Sequence, residues 1–312
     1  MMKVQLVCYE DIDIWILGKF AKKLNEELRK LGIDSNIGRA PDLTADINHH
    51  IIYLGYDGRK TTTDTLMITH IDTLEKAYML KKQMEQVEMG IFMSQDTMER
   101  MAHSGLGIPR EKLCYVNPAQ DGIIKPRRTV VGITSKTHPD GRKCENMLVK
   151  LCEKISPSEF MFKIMGAGWT KIAEYLRLKG FTIEYYDAFD YEKYVELMPS
   201  LDYYLYFSND EGSMGFLDAL AAGVKTIVTP QGYHLDAKNG ITYSISGLEE
   251  LETAFKKIAD EKRKLTDSVK DWTWANYAFR HAHIWGYILD RSKQNAVSEQ
   301  PVEVLQKVRK EY

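Results

Sequence analysis

The chain has 312 residues, of which 44% are hydrophobic and 28% charged, and its formal net charge at pH 7 is −2. These proportions are typical of a folded globular protein and exclude a disordered or fibrous chain. Because the net charge is close to zero, no overall field attracts polyanions, and we expect no nucleic-acid partner. At this length we expect two domains.

The first residues, MMKVQLVCYE, contain no basic leader followed by an apolar stretch. No apolar run approaches the roughly 20 residues that a helix needs to span a bilayer. We therefore predict a cytoplasmic protein without a transmembrane segment, and a peripheral contact with a membrane stays open. The four cysteines lie far apart, without the paired spacing of a zinc site, which predicts buried structural thiols and no metal.

The first half of the chain alternates short apolar runs with amphipathic ones, the pattern of a parallel α/β sheet. Strands are predicted over residues 4–9, 35–39, 49–54, 65–70, 90–94 and 112–116, and helices over 15–31, 74–87 and 98–104. Residues 118–128 contain two prolines and a glycine without periodicity, and they form the predicted linker.

Beyond the linker the same alternation restarts. Strands are predicted over residues 129–134, 160–165, 182–186, 203–207 and 226–229, with helices over 144–155, 170–179, 191–198 and 215–222, and the chain is predicted to be helical from 248 onward. The fold class is therefore α/β, with two Rossmann-like doubly wound domains that face a central cleft. We expect the domains at residues 1–120 and 121–290, and a C-terminal helix over 291–312 that crosses back to the first domain.

Residues 208–223 read SNDEGSMGFLDALAAG and lie between a predicted strand and a predicted helix. The N-terminus of a helix presents unpaired N–H groups and a partial positive charge, which suit a diphosphate. Gly212 and Gly215, on either side of Ser213 and Met214, let the backbone approach a ligand closely. Acidic side chains in this helix and in the loop before it can accept hydrogen bonds from ribose and sugar hydroxyls. The segment therefore suits a ligand that carries both a diphosphate and hydroxyl groups.

This segment resembles the donor-site signature of the GT-B retaining glycosyltransferases of family 4, in which Glu, seven residues and Glu precede Ala-Met-Ala-Cys-Gly. Counting backward from residues 219–223 places the second Glu at Asp218 and the first at Asp210, with Glu211 one position away. The resemblance implies that Asp218 binds ribose and that Asp210 or Glu211 has the catalytic, sugar-side role. The alternative is a helix cap made by Asp210 or Ser208, with Asp218 solvated.

The resemblance also implies basic residues after the first strand of the second domain, where they neutralise the donor diphosphate. Lys136, Arg142 and Lys143 lie in that loop. Arg142 and Lys143 are the preferred pair, because a guanidinium grips phosphate oxygens at two points and an ammonium acts as a point charge. Gly166 and Gly168 match the strand-ending Gly-Xaa-Gly turn of the family.

The first domain lacks the Gly-Gly loop that the family carries after its first strand. An acidic loop stands there instead and would repel a diphosphate, so we expect Glu10 and Asp13 to face acceptor hydroxyls. His70 and Asp72 follow a later strand of this domain. The family often has a histidine near the reacting sugar, and the resemblance implies this catalytic role for His70, with Asp72 and His234 as further acceptor or sugar contacts.

The resemblance implies that a sugar passes from a nucleoside diphosphate sugar to a hydroxyl of a glycan, glycoconjugate or small acceptor. It further implies retention at the anomeric carbon and activity without a metal or other cofactor. Two alternatives stay open because a fold does not determine a function. One is a sugar-nucleotide epimerase on the same fold, and the other is a non-catalytic GT-B subunit that binds a nucleotide sugar.

Overall fold

The structure, a computed structural model, describes residues 1–295, and side chains through residue 292. Within this part of the chain, no helix combines the length and apolar character needed to cross a membrane. The described chain divides into two compact units, one formed by Met1–Ile124 together with Val269–Asn295 and the other by Lys125–Ser268. Residues 269–290, which the sequence placed in the second domain, therefore belong to the first. Of the expected terminal helix over 291–312, residues 296–312 lie outside the described residues.

The first unit is built on a six-stranded parallel sheet with helices on both faces. Its elements before the linker are β1 (Lys3–Val7), α1 (Ile16–Lys30), β2 (Asp34–Gly38), β3 (Ile47–His50), β4 (Asp64–Ile68), α2 (Leu74–Met84), β5 (Met89–Phe92), α3 (Gln95–Ala102) and β6 (Leu113–Tyr115). The strand order is β2-β1-β3-β4-β5-β6, a flavodoxin-like order whose direction of winding changes between β1 and β3.

The second unit also contains a six-stranded parallel sheet. Its elements are β7 (Thr129–Ile133), α4 (Glu145–Cys152), β8 (Phe160–Met165), α5 (Thr170–Leu178), β9 (Thr182–Tyr186), α6 (Tyr191–Leu197), β10 (Tyr203–Tyr206), α7 (Met214–Ala221), β11 (Lys225–Val228), β12 (Tyr243–Ser244) and α8 (Leu248–Asp267). The order β12-β11-β10-β7-β8-β9 is that of a Rossmann sheet, with its switch point between β7 and β10. The predicted pair of doubly wound α/β domains is confirmed.

The last helix, α9 (Trp274–Asn295), belongs to the first unit and packs against α1, so the chain returns to this unit earlier than the predicted helix over 291–312. The ring of Phe20 on α1 meets the edges of Trp274 and Tyr277, with centroids 5.1 and 5.7 Å away. Trp285 is fully buried in the same apolar cluster. Since aromatic side chains bury large apolar areas, this contact anchors the C-terminal part of the described chain to the first sheet.

All four cysteines carry free thiols. Burial raises the pKa of Cys114 to about 12 and that of Cys152 to about 12. A thiol held in its protonated form is a poor nucleophile and a poor metal ligand, which agrees with the predicted structural role of these two residues.

Two buried histidines meet between β3 and α9, His49 on the strand and His281 on the helix. His49 Nδ1 is 2.9 Å from Thr65 Oγ1, and His281 Nδ1–H donates to the carbonyl oxygen of Tyr277 at 2.8 Å. Their ring centroids are 5.1 Å apart, and neither Nε2 atom has a partner among the described residues. Burial lowers the pKa of His281 to about 4 and lowers the pKa of His49 well below its usual range. Both rings are therefore neutral at pH 7.

We expect acid to destabilise the first unit, because the folded state resists protonation of His281 whereas the unfolded chain accepts it near pH 6.5. This contribution to stability is complete above pH 6.5 and is lost as the pH falls to about 4, where the loss reaches about 3 kcal/mol. Urea unfolding at about pH 7.5 and about pH 5 measures the difference. His281→Leu should reduce that difference, and the exposed control His103→Gln should not. Equal pH dependence in His281→Leu and the wild type would contradict the assignment.

Candidate functional site

The loops that follow β7 and β10 lie side by side at the carboxyl edge of the second sheet, because these strands are neighbours. In doubly wound sheets, ligands bind at this switch point. The carbonyl oxygen of Arg142 joins the two loops, since it accepts from the N–H of Asn209 at 3.2 Å and from the hydroxyl of Ser208 at 3.1 Å. The loop after β8 is attached by a 2.9 Å hydrogen bond from the N–H of Thr137 to the carbonyl of Ala167.

The two glycines of the loop after β8 allow it to approach the loop after β7. Gly166 has φ +143°, and a Cβ there would lie 2.3 Å from the carbonyl oxygen of Ser135. Gly168 has φ +94°, and a Cβ there would lie 1.8 Å from Thr137 Oγ1. A side chain at position 166 would clash with backbone atoms and force the loops apart, whereas one at position 168 would displace the side chain of Thr137. The predicted donor-site glycines therefore shape the site through the backbone.

A carboxylate lies at the centre of the site. Asp210 Oδ2 accepts from Lys143 Nζ at 2.5 Å, and the hydroxyl of Tyr206 lies 2.8 and 2.9 Å from the two carboxylate oxygens. The N–H of Gly212 and the side-chain amide of Gln231 each donate to Oδ1 at 3.2 Å. Lys143 also donates to the hydroxyl of Tyr206 and lies 4.7 Å from the centroid of its ring. These five residues form the carboxylate cluster.

Burial acts to raise the pKa of the Asp210 carboxyl, but hydrogen bonds from Lys143 and Tyr206 outweigh it and lower the pKa to about 2. Asp210 is therefore ionised at neutral pH and balances the charge of Lys143. An anionic ligand at this edge has to compete with Asp210 for the ammonium group of Lys143.

Helix α7 begins beside the carboxylate cluster. The N–H of Ser213, its N-cap residue, donates to His234 Nε2 at 3.0 Å. A Cβ on Gly215 would lie 2.3 Å from Thr134 Oγ1, so this glycine lets the helix start close against the end of β7. The N–H groups of Met214 and Gly215 have no acceptor among the described residues. They are the groups in this first turn that a phosphate oxygen can bind.

The expectation that His234 contacts the sugar is wrong. Its side chain is fully buried, and Nδ1–H donates to the carbonyl oxygen of Thr229 at 3.0 Å. Nε2 then accepts from the backbone of Ser213, so both ring nitrogens are used inside the unit. His234 instead holds the first turn of α7 in place.

Asp218 lies one turn further along α7, with its side chain exposed. Its Oδ2 accepts from the hydroxyl of Tyr194 at 2.5 Å, which orients the carboxylate from the neighbouring helix α6. The Tyr194 ring is 5.2 Å from that of Phe189, whose side chain is 66% exposed. A carboxylate beside an exposed aromatic ring can serve a nucleoside, through the ribose hydroxyls and the base face respectively. The sequence indicated Asp218, and Tyr194 was missed because it lies 24 positions away on another helix and no local signal connects the two.

The three predicted basic residues have different environments. Lys143 belongs to the carboxylate cluster, whereas Lys136 and Arg142 are exposed on the loop after β7. Arg142 Nη2 lies 3.1 Å from His138 Nδ1, and its Nε lies 3.8 Å from Asp140 Oδ2. The guanidinium thus stays at the surface of the site, where an incoming anion can reach it.

The sequence left open whether Asp210 or Glu211 has the sugar-side role, and the structure gives these two acids different environments. Asp210 is at the centre of the carboxylate cluster, and the side chain of Glu211 is exposed. The sequence missed two partners of Asp210. Tyr206 ends an apolar strand, and the sequence pattern there does not distinguish a site residue from a core residue. Gln231 lies in a polar loop at the carboxyl edge, and no other feature of the sequence indicated it.

The four site residues predicted in the first unit are exposed and lie after the carboxyl ends of its strands. Glu10 and Asp13 follow β1, and His70 and Asp72 follow β4. Asp72 forms an ion pair with Lys76 at 2.6 Å, and this hydrogen bond lowers the pKa of Asp72. Across the described residues of both units, no group of three or more His, Cys, Asp or Glu side chains is arranged to hold a metal ion.

A buried polar chain lies at the switch point of the first unit. The hydroxyl of Tyr9 is 2.8 Å from His50 Nδ1, and His50 Nε2 is 3.1 Å from Asp64 Oδ1. A Cβ on Gly55 would lie 2.3 Å from the ring of Tyr9, so the loops after β1 and β3 are in close contact. The sequence did not indicate this chain, which ties those loops to the sheet.

No protein-family model and no curated protein sequence matches the chain. Among solved structures it is similar to the lipopolysaccharide outer core galactosyltransferase WaaB, at 12% identity and a TM-score of 0.36, over 94% of this chain and 100% of that one. It is also similar to Anabaena HepE in complex with UDP and glucose, at 12% identity and a TM-score of 0.34, over 95% and 99%. A glycosyltransferase from Rickettsia africae is similar at 12% identity and a TM-score of 0.35, over 92% and 98%. The function of this chain is accordingly inferred from its own residues.

Gly166→Ala should destabilise the second unit by roughly 2–4 kcal/mol, because it adds a clash with backbone atoms to the strain of a positive φ. Gly141→Ala is the matched control, since Gly141 has φ +69° and open space around the position of a Cβ. It should cost only about 1 kcal/mol. Denaturant unfolding of the two variants measures the difference. Equal losses would show that the loop after β8 does not need to approach the loop after β7.

Proposed function

We propose that the chain is a glycosyltransferase of the GT-B type, which moves a sugar from a nucleoside diphosphate sugar to a hydroxyl acceptor. The observation that supports this function best is the carboxylate cluster around Asp210, at the switch point of a Rossmann-ordered sheet and beside the start of α7. Cationic, anionic and backbone N–H groups meet there. A nucleotide sugar requires all three, for its diphosphate, its hydroxyls and its leaving phosphate oxygen.

In this proposal the diphosphate binds Lys143 and the N–H groups of Met214 and Gly215, with Arg142 and Lys136 approaching from the exposed loop after β7. These cations and the end of α7 stabilise the negative charge that develops on the leaving diphosphate. Their positive charge would serve in place of a metal ion. We therefore propose metal-independent transfer, with no further cofactor.

We propose that donor binding exchanges the partner of Lys143. The ammonium group passes from the Asp210 carboxylate, 2.5 Å away, to phosphate oxygens. Asp210 keeps its charge because Tyr206, Gly212 and Gln231 still donate hydrogen bonds to it. The released carboxylate lone pairs then accept hydrogen bonds from the sugar and stabilise positive charge on the ring in the transition state. In this proposal the ion pair holds both halves of the site in place.

For the first unit we propose the acceptor side of the reaction. His70 and the carboxylates of Glu10 and Asp13 are exposed at the carboxyl edge, where they can hydrogen-bond acceptor hydroxyls. Retention at the anomeric carbon is supported by the family-4 resemblance of residues 208–223 alone. We propose that the reaction takes place in the cytoplasm, since the substrate is a nucleotide sugar.

The reaction class is tested by incubating the purified protein with a panel of nucleotide sugars, with and without hydroxyl acceptors, and measuring nucleoside diphosphate release. Acceptor-stimulated release is the expected result, and product stereochemistry by NMR then tests retention. An altered sugar nucleotide without release would identify an epimerase instead. Thermal stabilisation by a nucleotide sugar without turnover would identify a binding subunit.

Lys143→Met should lower kcat by about 10²–10³-fold, because the variant loses a charge that stabilises the leaving diphosphate. Arg142→Ala should lower turnover by a smaller factor, since its guanidinium lies at the surface of the site. Lys150→Met is the control, because Lys150 is an exposed lysine of α4 in the same unit. Initial rates of diphosphate release measure the three variants. Equal rates for Lys143→Met and Lys150→Met would remove Lys143 from the site.

Asp218→Ala should weaken donor binding, since the ribose hydroxyls lose their acceptor. Tyr194→Phe should have a smaller effect in the same direction, about three- to tenfold in donor KM with kcat little changed, because it removes only the 2.5 Å hydrogen bond that orients Asp218. Calorimetric titration with the nucleoside diphosphate identified by the panel measures binding directly. Unchanged affinity in both variants would place the ribose elsewhere.

A further inference from the structure

Three hydroxyl groups connect the end of β7 to the start of α7. The hydroxyl of Tyr204, on β10, lies 3.0 Å from Thr134 Oγ1 and 2.7 Å from Ser213 Oγ. Thr134 directly follows β7, and Ser213 is the N-cap residue of α7. We call these three residues the hydroxyl chain. Tyr204 is fully buried, so its hydroxyl depends on these two partners because water cannot replace them.

The hydroxyl chain lies directly against the first turn of α7. A Cβ on Gly215 would lie 2.3 Å from Thr134 Oγ1 and 2.4 Å from the hydroxyl of Tyr204. The N–H groups of Met214 and Gly215 in the same turn have no acceptor among the described residues. Thr134 is half-buried, whereas Tyr204 and Ser213 are buried. Thr134 is therefore the member of the hydroxyl chain that a ligand at this turn can reach.

The number of hydrogen atoms limits how the hydroxyl chain can be ordered. Tyr204 has one hydroxyl hydrogen and two hydroxyl partners, so it donates to one and accepts from the other. If Tyr204 donates to Thr134, then Ser213 donates to Tyr204 and the hydrogen of Thr134 is left for a ligand. In the opposite order Thr134 donates to Tyr204, and only its lone pairs face a ligand. An anion favours the first order, because phosphate oxygens accept hydrogen bonds.

Ser213 is well placed to begin the first order. Its N–H donates to His234 Nε2 at 3.0 Å, which fixes its backbone. Its side chain makes no capping hydrogen bond to the helix, so its hydroxyl is free to donate to Tyr204. Each hydroxyl that accepts a hydrogen bond becomes a better donor, so the chain strengthens the donor at Thr134.

The hydroxyl of Thr134 also has an acceptor inside the unit, the oxygen of Tyr194. Burial and the hydrogen bond to Asp218 raise the pKa of Tyr194, and a hydrogen bond from Thr134 acts in the opposite direction. Tyr194 gives its own hydrogen to Asp218, which leaves its oxygen as an acceptor. A charged phosphate oxygen accepts a stronger hydrogen bond than a neutral phenol does. A bound diphosphate would therefore take the hydrogen of Thr134 from Tyr194.

We propose that Thr134 is a further catalytic residue, whose hydroxyl donates to a phosphate oxygen of the donor. Tyr204 and Ser213 are positioning residues that order and polarise this hydroxyl. The inference rests on the proposed function, because it adds an uncharged donor beside Lys143 and Arg142. Each hydroxyl keeps its own proton throughout, and only the hydrogen bonds change direction. The hydrogen bond from Thr134 stabilises the negative charge that develops on the leaving diphosphate.

Thr134→Val removes the hydroxyl and keeps the shape of the side chain, whereas Thr134→Ser keeps the hydroxyl. Calorimetric titration with UDP, GDP and ADP measures affinity, and diphosphate release measures turnover. For the nucleoside diphosphate that the wild type binds, Thr134→Val should weaken affinity about tenfold and lower kcat at least as much. Thr134→Ser should restore most of both. Thr129→Val, at the amino end of the same strand, is the control and should match the wild type.

Tyr204→Phe tests whether Tyr204 acts through Thr134. Alone it should cause part of the loss of affinity that Thr134→Val causes. Combined with Thr134→Val it should cause no further loss, since the hydroxyl that it orders is already absent. Equal losses of affinity from Tyr204→Phe in both backgrounds would show that Tyr204 has only a structural role.

Unchanged affinity and kcat in Thr134→Val, with diphosphate release by the wild type, would overturn the role of Thr134 and leave the proposed function intact. Equal losses in Thr134→Val and Thr134→Ser would also overturn it, because the hydroxyl would then not matter. If Thr134→Val binds inorganic diphosphate like the wild type but binds uridine, guanosine or adenosine more weakly, the hydroxyl serves Tyr194 and Asp218 instead. If the wild type neither binds a nucleoside diphosphate nor releases one, the proposed function fails, and the role of Thr134 fails with it.

Discussion

The ion pair between Lys143 and Asp210 is the interaction on which the candidate donor site depends. The two residues are 67 positions apart in the chain, and their side chains are 12% and 25% exposed. A charge that is so far removed from water is costly unless it is paired and hydrogen-bonded. The hydroxyl of Tyr206 and the amide of Gln231 complete that pairing, so the loops after β7, β10 and β11 are positioned by the same carboxylate.

The same pair explains how one site can serve two charges. In the proposed reaction the diphosphate binds Lys143 and the sugar hydroxyls bind Asp210, so the donor separates two residues that pair with each other in the structure. The first unit offers different chemistry at its carboxyl edge, where the side chains of Glu10, Asp13 and His70 are exposed. Binding of the diphosphate by the second unit and of acceptor hydroxyls by the first are therefore complementary parts of one proposed reaction.

Most elements follow from the sequence because buried parallel strands read as short apolar runs. The predicted and observed elements differ where contacts with distant parts of the chain determine the end of a strand or the unit to which a segment belongs. The strand predicted over 49–54 is β3, Ile47–His50, since the chain turns into a short helix at Tyr53–Gly55. Strand β12 has only two residues and forms because β11 offers it an edge. Residues 269–290 read as part of the second domain, but Trp274 and Tyr277 find their apolar partners on α1.

The fold class, the two sheets, the loops of the candidate donor site and the position of its glycines follow from the sequence alone, because apolar periodicity and helix-start signals are local properties of the chain. Packing between distant segments is needed to show that Asp210 and not Glu211 meets Lys143, that Tyr206 belongs to the site, and that His234 is buried. Spacing along a chain predicts at which edge of a sheet a residue lies. The direction of its side chain depends on partners that come from distant strands.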